Sequence, residues 1–288
     1  TNRVAIHKPV TVRSVNGPDV TIVKGVGPVG NGAVRCVYVG TNAVLVGFTL
    51  TNGNTRASGD LAKEKGGGGV WCELSGLVSN CIFSGNSAAE SGGGAYAGTL
   101  NNCVFFGSSA LTGGGAYRGA LNNCTLSGNS AGAFGGGSMW ATLNDCVFSC
   151  NSADYGGGAY GGTLNNCTLS GNSANYGGGA YGGTLNNCIV YYNSGLSGQN
   201  YSGATLRYCC TTPDPGGTGN ITGEPLLVSS SHISPLSPCV GAGSSAYASG
   251  ADIDGEPWRN PPSIGCDEVM IGAITGDLVV AIGVPYTN

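Results

Sequence analysis

Charge is scarce in this 288-residue chain: Lys, Arg, Asp and Glu together make up 9% of it, and the formal net charge is -4. So thin a field offers neither the basic footprint that nucleic acid requires nor the block of like charge that marks an acidic tail. Histidine occurs only at His7 and His232, far apart and each near a proline. Without a His pair, or a Ser, His and Asp constellation visible in the sequence, zinc chemistry and triad catalysis lack ingredients. Uninterrupted apolar runs are missing too. The stretch 269–285 is broken by Gly272, Gly276, Asp277 and Gly283 and cannot span a bilayer. No N-terminal stretch has the basic, apolar and small-residue order of a signal peptide, so the chain is expected to be mature or trimmed at both ends.

What is present is glycine, 55 of it, with 41% hydrophobic residues and a repeat. The string GGGAYGGTLNNC occurs at 156–167 and again at 177–188, and degenerate copies extend it both ways. Cys81, Cys103, Cys124, Cys146, Cys167, Cys188 and Cys209 mark steps of 21 or 22 residues. A period of that length, with short apolar runs between Gly, Asn and Ser clusters, makes each repeat one unit that must stack on its neighbours to bury anything. The unit is poor in helix formers and alternates in twos: in Thr163 to Leu169, Cys167 and Leu169 share one strand face and Thr168 takes the other. The expectation is an all-β, right-handed parallel β-helix, a solenoid whose coils stack about 4.8 Å apart and set like residues above like.

Three ladders follow. The seven periodic cysteines, stacked in register, sit a full strand spacing apart with parallel Cβ vectors, too far to bridge, so they read as buried thiols that act as small apolar side chains. Asn86, Asn129, Asn151, Asn172 and Asn193, with Ser108 as the exception, suit the left-handed backbone of tight corners and amide bonds between coils. Trp71, Tyr96, Tyr117, Tyr160 and Tyr181, broken by Met139 beside Trp140, each follow a small or β-branched residue that fits the inward side. These rings, Trp140 included, are then expected to face outward as a stacking platform for the apolar face of a sugar or for a partner protein. The alternative is that they lie down and shield the glycine-rich backbone.

Residues 1–65 form the first coils, with Phe48 in the place of the ladder cysteine and a polar excursion at 55–65; residues 66–210 are the regular repeats. Residues 211–268 break the period with eight prolines and are expected to cap the end of the solenoid. Within that cap, Cys239 and Cys266 could close a loop of 27 residues, worth about 3 kcal/mol. Residues 269–288, with Leu278 to Ile282, read as a strand leading into a further domain of the same polypeptide.

Phe83-Ser84-Gly85-Asn86 and Leu169-Ser170-Gly171-Asn172, each followed by Gly-Gly-Gly-Ala-Tyr, resemble the FxxN and GGAI repeats of polymorphic outer-membrane protein adhesins. Ser108, Met139 and Tyr in place of Ile depart from that motif. Residues 237–268 are similar to the terminal segment of large secreted bacterial β-helix proteins with surface anchors. The resemblance implies a pectin lyase-like fold, an extracellular, secreted or cell-surface setting, and carbohydrate as the ligand class. It does not imply catalysis, since this fold also hosts lyases, hydrolases, adhesins and phage spikes.

A polysaccharide lyase or glycosidase, the competing expectation, needs a base or a carboxylate pair converging across coils. The regular coils from Ser91 to Tyr208 offer only Arg118, Asp145, Asp154 and Arg207 at scattered phases, and the densest charge is Asp60, Lys63, Glu64 and Lys65 near Glu73. Glu64, Glu73 and Lys65 are therefore the residues an enzyme would use. Asp252 and Asp254, around Gly255, are a weak calcium candidate. A row of Thr99, Thr142, Thr163, Thr184 and Thr205, interrupted by Ala120, raises ice binding as a minor reading. The expectation is a noncatalytic extracellular module that binds polysaccharide, surface glycan or a partner through its rings, with no cofactor and no nucleic acid.

Overall fold

The computed structural model describes residues 1–269; the stretch 278–282 lies outside them. The chain is all-β. Three nine-stranded sheets run the length of the molecule, and a five-stranded sheet joins them from Ser109 onward. Every pairing within these sheets is parallel, and like residues stay in register from coil to coil except at two irregularities in the five-stranded sheet, so the architecture is a parallel β-helix. No helix long and apolar enough to cross a membrane occurs among the described residues.

One coil shows why the repeat folds this way. Ala159–Tyr160 lies in the first sheet, Thr163–Asn165 in the second, Thr168–Ser170 in the third and Ser173–Tyr176 in the fourth. Corners come where residues hold left-handed backbone: Gly161 and Gly162, then Asn166 at φ 48°, then Gly171. The glycine triplet closing the coil is forced by space. A Cβ on Gly157 would stand 2.3 Å from Ser173 O and 2.5 Å from Gly178 O in the next coil. Only a bare backbone fits there.

The interior consists of columns. Leu100, Leu121, Leu143, Leu164 and Leu185 stack beneath the second sheet, and Phe83, Phe105, Leu126, Phe148 and Leu169 beneath the third, all but excluded from solvent. The seven ladder cysteines form one buried column, and all thirteen cysteines are free thiols. Cys124 Sγ accepts the N–H of Cys103 at 3.4 Å and donates to Leu100 O in the coil before. Phe48 takes the equivalent place, its N–H 3.4 Å from Cys81 Sγ.

The buried asparagines bond as expected, but the left-handed backbone sits one residue earlier, at Gly85, Gly107, Gly128, Cys150, Gly171 and Tyr192. Asn151 Oδ1 accepts the N–H of Asn129 at 2.9 Å, while its Nδ2 donates to Leu126 O and to Asn172 Oδ1. Asn200, brought in by the turn at 198–200, terminates this ladder over Asn193.

The C-terminal segment does two jobs. Residues near Ile221 seal the solenoid end, where Asn220 receives the N–H of Cys209 and donates to Leu206 O. The remainder turns back as a pad along the outside of the third sheet. It encloses a second small core of Ile189, Cys210, Ile233, Cys239, Ile264 and Val269. Thr168, outward on its strand, is fully buried because this pad covers it.

Candidate binding face

The first sheet presents an aromatic side chain in most coils because its two-residue strands are mostly Ala-Tyr. Ala95, Ala116, Ala159 and Ala180 point into the core. Their neighbours form the outward file Tyr38, Trp71, Tyr96, Tyr117, Met139, Tyr160 and Tyr181. Trp71 and Tyr96 lie 5.8 Å apart with planes 7° off parallel, and Tyr160 and Tyr181 lie 5.4 Å apart at 7°. Tyr96 and Tyr117 are at 5.1 Å and 29°.

Met139 leaves a gap that its successor fills. Trp140 stands at a left-handed corner (φ 55°) where other coils have Ala97, Arg118 or Gly161, and its ring spreads over Gly161, where a Cβ would meet it at 2.7 Å. The Arg118 guanidinium carbon lies 5.3 Å from the Tyr117 ring centre and 5.9 Å from that of Trp140. The stripe thus carries one cation clamped between two π faces.

A second aromatic file flanks the first. Phe134, Tyr155 and Tyr176 stack on the fourth sheet, with Tyr155 and Tyr176 at 4.9 Å and 11°. Phe134 meets Tyr160 at 4.8 Å, and Tyr155 meets Tyr181 edge-on at 5.3 Å. The two files make a two-ring-wide surface rather than a single ladder. Its signal was the aromatic residue immediately before the glycine triplets at 135–137, 156–158 and 177–179.

Trp71 belongs to the file but not to the exposed face. Only 7% of it is accessible, and its indole N–H donates to Ala62 O at 3.0 Å, beneath the 55–65 excursion. That excursion is anchored by buried Arg35, whose guanidinium donates to the carbonyls of Lys63, Gly66 and Gly67.

The residues an enzyme would use do not converge. Glu64 accepts the N–H of Asp60 and pairs with Arg56; those two contacts hold its carboxyl below the usual range. Lys65 pairs with Glu90 at 2.9 Å. Glu73 accepts the hydroxyl of Tyr38 at 3.1 Å. Three candidates thus serve three separate local contacts.

Asp252 and Asp254 are likewise separated in role. The Asp252 carboxylate accepts the N–H groups of Asp254, Glu256 and Glu268 and groups with Glu256 and Asp267 rather than with Asp254. Asp254 instead pairs with His232 Nε2 at 2.6 Å. The other His232 nitrogen lies 2.9 Å from Ser229 Oγ and 2.8 Å from Ser231 Oγ, so the fold does assemble a Ser, His and Asp group that sequence reading found no sign of. Ser229 Oγ already accepts the N–H groups of Ser231 and His232, which makes this a hydrogen-bonded turn rather than an activated nucleophile.

The expected Cys239–Cys266 pair is also corrected. Cys239 meets Cys210 in the second core, whereas Cys266 Sγ lies 3.2 Å from Thr168 Oγ1.

Beside the aromatic face, the second sheet presents the threonine row and, next to it, an unforeseen outer asparagine file. Asn122, Asn144, Asn165 and Asn186 each donate to the asparagine of the coil before, starting at Asn101, at 2.8 to 2.9 Å.

Compared with known protein families and with curated proteins, the chain matches none.

Proposed function

We propose that this chain is a noncatalytic extracellular module, secreted or attached at a cell surface, that holds polysaccharide or surface glycan against its aromatic face. One observation carries the reading. Tyr96, Tyr117, Trp140, Tyr160 and Tyr181, widened by Phe134, Tyr155 and Tyr176, form a rigid double file of rings at strand spacing. Half of the Trp140 surface is exposed, at 49%, as is 43% of Tyr176. Sugar rings have apolar faces that stack on such a platform, and a platform fixed by a stacked backbone loses little entropy on binding.

The resemblance to FxxN and GGAI adhesin repeats supports the same setting, and further domains would connect the module to its surface. The test is a glycan array with the intact chain and with Tyr160→Ala/Tyr181→Ala. The double variant is expected to lose roughly tenfold or more in affinity, at about 1 kcal/mol for each lost stacking contact. Undiminished binding by that variant would reject the aromatic face.

A further inference from the structure

The outer corner between the second and third sheets carries one left-handed residue per coil: Asn102, Asn123, Asp145, Asn166 and Asn187, at φ 52, 52, 55, 48 and 51°. The C-terminal pad runs along this row. Asn123 Nδ2 donates to Asp252 O at 2.8 Å, Asn166 Nδ2 to Tyr247 O at 3.0 Å and Asn187 Nδ2 to Ser244 O at 2.9 Å. Successive corner amides therefore fasten successive pad carbonyls.

Asp145 interrupts the row. Its coil falls between the fastenings at Tyr247 and Asp252, opposite Ser249, Gly250 and Ala251. An ionised carboxylate has no proton to donate. Asp145 is only 4% exposed, and its Oδ1 has no hydrogen-bond partner. A cleft of about 400 Å³ opens there, lined by Asn123, Asn144, Asp145, Ser249, Gly250 and Ala251. The missing donor and the gap in the seam coincide.

We propose that Asp145 is a proton-operated fastener of the pad: protonated, its carboxyl O–H takes the donor role of the neighbouring amides and draws the 249–251 stretch onto the corner; ionised, it releases that stretch.

The surroundings fit. Burial pushes the Asp145 carboxyl up to about 7, the Asn166 amide opposes this, and Asp252 and Cys188 raise it further. On its own row it faces the neutral amides of Asn123 and Asn166. From the pad it faces Asp252 and Cys266, whose thiol Asp145 in turn pushes up. Each titratable member of this set is an acid, so each favours the protonated form.

The value of about 7 belongs to the gapped seam, in which Asp145 Oδ1 lacks a partner; closing the seam onto the carboxyl O–H binds the proton more tightly and sets the closed-state value above it. Closure therefore strengthens about tenfold per pH unit as pH falls towards 7 and levels off below it, where the carboxyl is protonated in both states.

Hydrogen exchange read by mass spectrometry on peptides spanning 244–252, corrected for intrinsic rates, tests this at pH 5 to 8. The intact chain is expected to show roughly tenfold greater opening at pH 8 than at pH 5, with the change falling between pH 7 and 8. Asp145→Asn, which restores the residue found in neighbouring coils, is expected to stay closed throughout, and Asp145→Ala to stay open throughout. A flat profile in the intact chain, or the same slope in Asp145→Asn, would overturn the proposal.

Discussion

In the coils from Gly66 to Cys210, nearly every side chain has a near copy of itself one coil above and below; in the C-terminal segment from Thr211 to Val269, like does not stack on like. The coils are held by identity: Cys on Cys, Asn on Asn, Gly triplet on Gly triplet. The pad is held by unlike partners far apart in sequence, such as Cys266 with Thr168, 98 residues apart, and the corner amide of Asn123 with the carbonyl of Asp252, 129 apart. A fault in a coil is therefore transmitted to two neighbours, whereas a fault in the pad stays local. The first kind of region is rigid enough to present a binding surface, and the second is free enough to be fastened and released.

The largest effect that would sharpen this contrast is expected in the glycine triplets. Gly114→Val sets a Cβ 2.2 Å from Ser130 O and 2.6 Å from Gly136 O, both backbone atoms in the following coil. The cost is expected to reach about 3 kcal/mol, visible as a lower midpoint of chemical unfolding. An unchanged midpoint would show that the coils can separate, contrary to the account.

Smaller and opposite in sign is Ser108→Asn. Ser108 is fully buried with its hydroxyl unpartnered, at the one break between Asn86 and Asn129. An amide there would offer Asn86 the acceptor that Asn129, Asn151 and Asn172 receive from their neighbours. Stabilisation of about 1 kcal/mol is expected, whereas Asn151→Ala should lose about 2 kcal/mol by orphaning the N–H of Asn129 and the carbonyl of Leu126. Thermal unfolding of the three proteins checks both signs.

The smallest perturbation is chemical labelling. Of the thirteen thiols only Cys150 is exposed, and burial pushes Cys36 and Cys72 up to about 12. Thiolate is the reactive form, so a maleimide at pH 7 should modify one thiol fast and the rest only on unfolding. Two or more fast equivalents would mean that the columns or the pad open readily.

How far the fold was legible follows the same division. A repeat announces its contacts because a 21-residue step brings like to like, so the cysteine column, Phe48 in its file and the outward rings could be read directly. The amide bonding of the buried asparagines was legible, but not which residue turns the corner. Gly85 and Gly171 carry the left-handed backbone one position before the asparagine, while Asn80, Asn102 and Asn166 carry it before the cysteine. Spacing fixes period, not phase. Trp71 reads like any other ring in the file, and only the path of the excursion shows it covered. The Cys239 partner, the grouping of His232 with Asp254 and the fastening of the pad depend on where an aperiodic chain folds back, which no local pattern encodes. Tyr155 and Tyr176 recur in the sequence before the glycine triplets, yet they belong to a fourth sheet and to none of the three ladders read from the repeat.

The aromatic face itself can be interrogated through Trp140, one of three tryptophans and the exposed one in the stripe; Trp71 is buried under the excursion, and the indole N–H of Trp258 is enclosed in the pad. Tryptophan emission should be titrated with the polysaccharide that scores highest on the array, using the intact chain and Trp140→Phe. A saturable blue shift in the intact chain that disappears in Trp140→Phe is the expected result. Saturable binding of the same polysaccharide with no change in Trp140 emission would place the ligand elsewhere and contradict the account.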